Sequence, residues 1–141
     1  MRVLYCNKYN YAFSGTEVYL FELMGLMRER GHEVELFSMA DPRGERSRFD
    51  AHMAPPVDFK AGSRLTRARR AVNAVYSRPA RRQMQRMAEA FRPHVAHVRN
   101  IYHHLSPSIL WELKRQRIPV LYHLNDFKML CPSYNMVAAG D

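Results

Sequence analysis

The sequence predicts an α/β fold: a Rossmann-like open, mostly parallel sheet with helices on both faces. Three observations carry this. Short apolar runs of strand length alternate with stretches of helical period until at least four strands are counted. The first of these units is strand, helix, strand, a βαβ arrangement whose right-handed crossover makes the strands parallel neighbours. The chain has 141 residues, 47% apolar and 25% charged, enough for one core but too short for two full-sized domains, and unlike a disordered or low-complexity composition.

Val3 to Asn7 (VLYCN) has the length of a buried strand, and Lys8 to Ser14 forms a polar and aromatic loop before Gly15. From Thr16 the period changes. Val18, Leu20, Phe21, Leu23, Met24 and Met27 recur at spacings of three and four, with Glu17 in the first turn, Arg28 and Arg30 in the last, and Gly31 placed as a C-terminal stop. Glu33 to Ser38 alternates apolar and polar and reads as the second strand. Asp41 to Gly62, with three prolines and two glycines, reads as surface loop with a brief strand or turn near Phe49 to Met53. From Arg64 an amphipathic helix places Leu65, Ala68, Val72 and Val75 on an apolar face. Ser77-Arg78-Pro79 interrupts it and starts another helix that buries Met84, Met87, Ala88 and Phe91. Val95 to Val98 is the third core strand. Ser106-Pro107 opens a helix carrying Ile109, Leu110 and Leu113, and Val120 to Leu124 is the fourth strand.

No apolar run approaches the roughly 18 residues of a spanning helix, and Met1 leads directly into strand-like sequence without a signal-peptide core. Cys6 and Cys131 are far apart and in no ligand-like spacing with histidine, so neither a disulfide framework nor a zinc site is predicted. A reducing cytoplasm is the expected setting. The net charge of +9 is concentrated: residues 64–92 hold nine arginines and one acid, Glu89, for +8, leaving +1 elsewhere. Arg78, Arg81, Arg82 and Arg86 lie opposite apolar positions and are expected to face outward. Such a patch concentrates anions, whether nucleic acid, acidic phospholipid or phosphorylated substrate.

In an open parallel sheet, ligands meet the carboxyl ends of the strands. The loops to inspect are therefore residues 7–16, 99–106 and 125 onward. Ser14-Gly15-Thr16-Glu17 lies between the first strand and first helix, where glycine permits a tight turn and free N–H groups can face an anion; alone it reads equally as a turn. His97, Arg99, Asn100 and His103 put four polar side chains at the end of the third strand and its loop, although His97 reads equally well as a core histidine. His103-His104 is not a metal pair, since adjacent residues diverge and no third ligand is placed beside them. Tyr5, Tyr9, Tyr11 and Phe13 read either as stacking surfaces for sugar rings or lipid chains or as loop packing.

Read together, Ser14-Gly15-Thr16-Glu17, Gly31-His32-Glu33-Val34, Arg92 to Val98 with Asn100, and Leu124-Asn125-Asp126-Phe127-Lys128-Met129-Leu130-Cys131-Pro132 resemble the N-terminal domain of the family-4, GT-B-type retaining glycosyltransferases (glycosyl transferase group 1). The resemblance covers nearly the whole chain except residues 41–62. It implies a glycosyltransferase moving a sugar from a nucleotide-diphosphate sugar, as co-substrate, to a glycan or lipid-linked acceptor with retention. It further implies that residues 1–141 are an incomplete acceptor-side domain and that a C-terminal donor-binding domain is absent, so that the chain alone is inactive. By the same resemblance Gly15 approaches the donor phosphates, with Ser14 where another glycine is common, a side chain that narrows the approach. Glu17 is a recurrent acid, also explained by the helix dipole. Asn125 replaces a histidine that reaches the transferred sugar, and Asp126 follows in place; an amide can hydrogen-bond a hydroxyl but cannot exchange a proton near neutral pH. Glu17, His97, Arg99, Asn100 and His103 become acceptor-side candidates. No metal is implied. An anionic membrane surface is an expected partner of the arginine patch, and self-association of the uncovered cleft wall is a further expectation. Two other classes stay open: a basic nucleic-acid-binding module, which without aromatic interleaving would bind only non-specifically, and a sugar-nucleotide epimerase of similar architecture.

Overall fold

The computed structural model describes residues 1–57, 72–127 and 131. In chain order the elements are β1 (Arg2–Cys6), α1 (Gly15–Glu29), β2 (Glu33–Phe37), a 3-10 turn (Asp50–His52), α2 (Arg78–Phe91), β3 (Val95–Val98), a one-turn α3 (Tyr102–Leu105), α4 (Ser108–Arg115) and β4 (Val120–Tyr122). The four strands form one sheet in the order β2-β1-β3-β4, all parallel, as the alternation predicts.

β1 is central, and its run Val3–Cys6 is buried throughout because both faces are covered. The two-residue period sorts the side chains. Val3, Tyr5, Val34 and Leu36 face α1, where they meet Leu20 and Met24. Leu4, Cys6, Phe37, Ala96 and Val98 face the other way into a larger core with Met84, Met87 and Phe91 of α2 and Ile109 and Leu113 of α4. Register places Tyr5 opposite Leu36 on one side and His97 on the other.

Helix ends follow local chemistry. Gly31 adopts φ +78°, and its N–H donates to the Arg28 carbonyl while that of His32 donates to the Met27 carbonyl, closing α1 with a glycine-terminated pair of hydrogen bonds. Ser77 caps α2, its hydroxyl accepting from the Ala80 N–H at 3.2 Å, with Pro79 early in the helix, where no N–H is needed. Ser106, before α4, has φ 62° and ψ 162°, a conformation that side chains rarely adopt. It is held there by its own hydroxyl, which accepts from the Ser77 N–H at 2.9 Å, while the Ser108 hydroxyl donates to the Ser77 carbonyl at 2.9 Å. The starts of α2 and α4 are thereby tied together.

Several sequence expectations need correction. Val72 and Val75, placed on an apolar core face, are exposed; residues 72–75 are helical, but the sheet surface on that side is taken up by α2 and α4. Arg64, Leu65, Arg67 and Ala68 lie outside the described residues. Val18 is exposed because Glu17, not Val18, turns inward beside Leu20 and Met24. The fourth strand ends at Tyr122 and is not core: Val120, Leu121 and Leu124 are exposed, because β4 is an edge and α1 packs over β1 and β2. The loop from Asp41 does not stay on the surface. Phe49, Met53 and Ala54 are buried, Phe49 meets Phe91 edge-on at 5.6 Å, and Ala54 bridges to Met39 in parallel. Its prolines and glycines mark turns without excluding core residues between them. Cys131 is only half-buried; Lys128 to Leu130 and the residues from Pro132 lie outside the described ones.

Candidate functional site

The loops after β1, β3 and β4 meet at the carboxyl edge of the sheet. Arg99 follows β3 directly and is 2% exposed. Its Nη1 donates to the Thr16 carbonyl in the first turn of α1 at 3.2 Å, and its guanidinium lies over the Tyr19 ring at 4.8 Å. Its Nε has no hydrogen-bond partner among the described residues. Burial lowers the Arg99 pKa, with Tyr19, Glu17 and Tyr5 pulling it back, and an arginine stays charged in such a place.

Glu17 is equally buried. Its Oε1 accepts from Asn7 Nδ2 at 3.2 Å and its Oε2 from the Ser14 hydroxyl at 2.6 Å. Ser14 is the residue before α1, yet its hydroxyl serves this carboxylate and no backbone N–H. Gly15 is exposed, has no positive φ, and a Cβ built on it would meet nothing within 4 Å. The fold itself does not require glycine there.

Across the edge, the Asn125 amide donates to Asn100 Oδ1 at 3.0 Å, and the Tyr102 hydroxyl donates to Asp126 Oδ1 at 2.6 Å. The loop after β4 is thus fastened to the loop after β3. Gly15, Arg99 and Asn125 converge on one edge, as the topology predicts.

His97 resolves into a buried histidine that is also part of this cluster. Its ring is 5.0 Å from that of Tyr5 and stacks on His123 at 5.5 Å and 12°, with Nε2 and Nδ1 3.3 Å apart. Burial first, then His123 and Arg99, lower its pKa to about 4, and burial lowers that of His123 too. Both rings are neutral at pH 7, so one donates and the other accepts. His103 is exposed on α3; His104 is half-buried with its pKa lowered, chiefly by burial. Tyr9, Tyr11 and Phe13 pack against one another, whereas Tyr5 lies in the strand apart from them. Arg43 stacks on Tyr11 at 3.9 Å.

Asn7, Tyr19, Tyr102 and His123 also belong to this edge; Asn7 and Tyr102 lie in loops that the sequence marks for inspection without being chosen as candidates, whereas Tyr19 and His123 were missed altogether. Asn7 and His123 each stand one residue past the end of a strand, which was the available signal. Tyr19 lies on a helix flank with no motif to mark it. Among the described residues no three His, Cys, Asp or Glu side chains group closely enough to hold a metal ion, and no helix is long and apolar enough to cross a membrane.

The arginine segment lies elsewhere. Arg78, Arg81 and Arg82 line a cleft between α2 and α4 on the opposite face from α1, while Arg86 is exposed outside it and contacts Gln83. Arg81 is not free as expected. Its Nε pairs with Glu112 at 3.0 Å.

Chemically the edge offers a buried cation, amides and neutral imidazoles, with both carboxylates already accepting hydrogen bonds. That set recognises hydroxyls and anions. In comparison with known proteins, residues 14–139 match the family of the glycosyl transferase 4-like domain. No curated protein and no solved structure matches the chain. With a four-stranded parallel α/β sheet and a match running from the cap of α1 almost to its last residue, the chain belongs to the glycosyl transferase 4-like domain family.

Proposed function

We propose that this domain is the acceptor-side half of a retaining GT-B glycosyltransferase that moves a sugar from a nucleotide-diphosphate sugar to a hydroxyl of a glycan or lipid-linked glycan. The observation that carries the reading is the convergence of Gly15, Arg99 and Asn125 at the carboxyl edge, through the Arg99–Thr16 and Asn125–Asn100 bonds. A glycine that its own fold does not require leaves backbone open to a phosphate. Arg99 supplies positive charge beneath that loop, and Asn100 and Asn125 supply amides for acceptor hydroxyls. The donor's nucleotide belongs mainly to a partner domain in this reading.

Two titrations on the chain test it. Chemical-shift mapping with a panel of oligosaccharides is expected to perturb residues 7–16, 99–103 and 123–125. Shifts confined to the cleft of about 330 Å³ beside β2, lined in part by Phe21, Arg28, Arg46 and Met53, would overturn the placement. Calorimetry with uridine, guanosine and adenosine diphosphate sugars is expected to show no micromolar binding; such binding would put the donor site in this domain.

A further inference from the structure

The open cleft of about 690 Å³ between α2 and α4 is a built arrangement of charge that the carboxyl-edge site does not use. Its floor is Glu112, 1% exposed at the side chain. Arg115 grips that carboxylate with two nitrogens, Nη2 at 2.5 Å and Nε at 3.0 Å; Arg81 Nε reaches it at 3.0 Å and Gln116 Nε2 at 3.0 Å. Arg81 is held a second time by the Tyr76 hydroxyl, to which its Nη1 donates. Burial alone would raise the Glu112 pKa; the bonds from Arg115, Gln116 and Arg81 outweigh it and hold it at about 2.

The consequence is two guanidinium groups fixed in orientation, each with N–H groups left over. A flexible arginine must lose side-chain freedom on gripping a ligand, and here most of that loss has already been met within the protein. Arg78 and Arg82 add two more cations at the mouth, and the salt bridges among the described residues engage neither. Four arginines against one carboxylate leave the cleft at +3. The Ser77–Ser106–Ser108 hydrogen bonds tie the two helix starts together and fix the width of the cleft. Exposed Trp111 lies one helical turn before Arg115, on the same flank of α4.

We propose that this cleft is a phosphoryl-anion site, with the Glu112-oriented Arg81 and Arg115 forming its fixed wall and Arg78 and Arg82 closing on the ligand. Guanidinium forks match phosphate oxygens in pairs, and a charge of +3 suits a diphosphate or clustered phosphomonoesters better than a single carboxylate. The inference stands on the cleft alone and is independent of the glycosyltransferase reading. The phosphate can come from a soluble molecule or from a lipid headgroup; exposed Trp111, one turn from Arg115, is a side chain suited to a bilayer interface.

The test has two arms on the full chain at low salt. Inorganic pyrophosphate is titrated by calorimetry, and phosphatidylcholine vesicles with and without phosphatidylglycerol are co-sedimented with the protein. Arg78→Gln/Arg82→Gln removes two exposed side chains and leaves the Glu112 network intact, so folding is preserved; Arg46→Gln/Arg48→Gln, outside the cleft, is the matched charge control. Binding in the pyrophosphate arm weakened roughly tenfold or more by the first pair, and less than about twofold by the control, supports the site with a soluble ligand. The same pattern only with anionic vesicles supports it with a headgroup. Absence of binding in both arms, or equal loss in the two variants, overturns it.

Discussion

Each face of the sheet buries one glutamate to 1% exposure, and the two are treated differently. On the α2–α4 face, Glu112 is closed in by Arg81, Arg115 and Gln116, charge against charge. On the α1 face, Glu17 receives only the neutral Asn7 and Ser14, and among the described residues no ion pair joins it to Arg99. The first carboxylate is spent inside the protein, organising two arginines. The second has no charged partner among the described residues, and beside it Arg99 Nε and Asn7 Oδ1 remain without hydrogen-bond partners among the described residues. Buried polar atoms left in that condition cost about 1–3 kcal/mol each, and a ligand at the carboxyl edge would recover part of it.

The faces also differ in cover, and the largest expected effect probes that. Leu4→Ala, in the core under α2 and α4, is expected to cost about 3 kcal/mol of unfolding free energy, whereas Leu121→Ala on the uncovered half of the other face is expected to stay within about 0.5 kcal/mol. Urea titrations measure both. Similar losses would erase the distinction between the faces.

Acid separates them next. His97, on the α1 face, has its folded pKa depressed to about 4 against 6.5 unfolded. Its contribution is therefore intact above pH 6.5 and is lost as pH falls from there toward 4, amounting to about 2 kcal/mol between pH 7 and 5. Glu112, depressed from 4.5 to about 2, gives up its contribution only as pH falls from 4.5 toward 2. Stability curves at pH 7, 5 and 3.5 are expected to show the first loss shrink in His97→Gln, with His123 and His104 keeping their share, and persist in full in Glu112→Gln. The opposite pattern would mean that the histidine pair is not the acid-sensitive element.

The sheet was legible because parallel strands buried on both faces write themselves as apolar runs: Val3–Cys6 and Val95–Val98 could hardly be elsewhere. The change of period at Thr16 marked the start of α1 to within a residue, and Gly31 marked its end. What escaped depends on which helix covers which half of a face. Val120-Leu121-Tyr122 has core composition, yet only Tyr122 packs against the α2–α4 core while Leu121 points to the α1 face beyond the reach of α1, and nothing local in the sequence records that. Phe49, Met53 and Ala54 were hidden by the turn residues around them. At the edge, Arg99, Asn100 and Asn125 were found because topology marks strand ends, while Tyr19 and the His97–His123 stack depend on register between distant segments. The arginine run was read as a uniform outward face; only the burial of Glu112 shows that within it Arg81 is held, Arg78 and Arg82 are open, and Arg86 stands apart.

The smallest effect tests how the α1 face holds its carboxylate. Ser14→Ala removes the 2.6 Å bond to Glu17 Oε2 but no backbone cap, since the Ser14 hydroxyl makes none. The usual cost of losing a helix-capping serine, ~1 kcal/mol, therefore does not apply as such. What is lost is one part-buried hydrogen bond from an exposed serine, where water can take the place of the hydroxyl. A loss of about 0.5 kcal/mol is expected, well below that of Asn7→Ala, whose amide bonds the more deeply placed Oε1 and also the Tyr9 carbonyl. Measuring both variants by urea denaturation, with Ser14→Gly as a third, ranks the two supports of Glu17. If Ser14→Ala costs as much as Asn7→Ala, the carboxylate depends on both neutral donors equally and the loop before α1 is as firmly fixed as the Glu112 network. If Ser14→Gly costs nothing, the serine is dispensable to the fold, and the narrowing of the loop beside Gly15 is the property left to explain its presence.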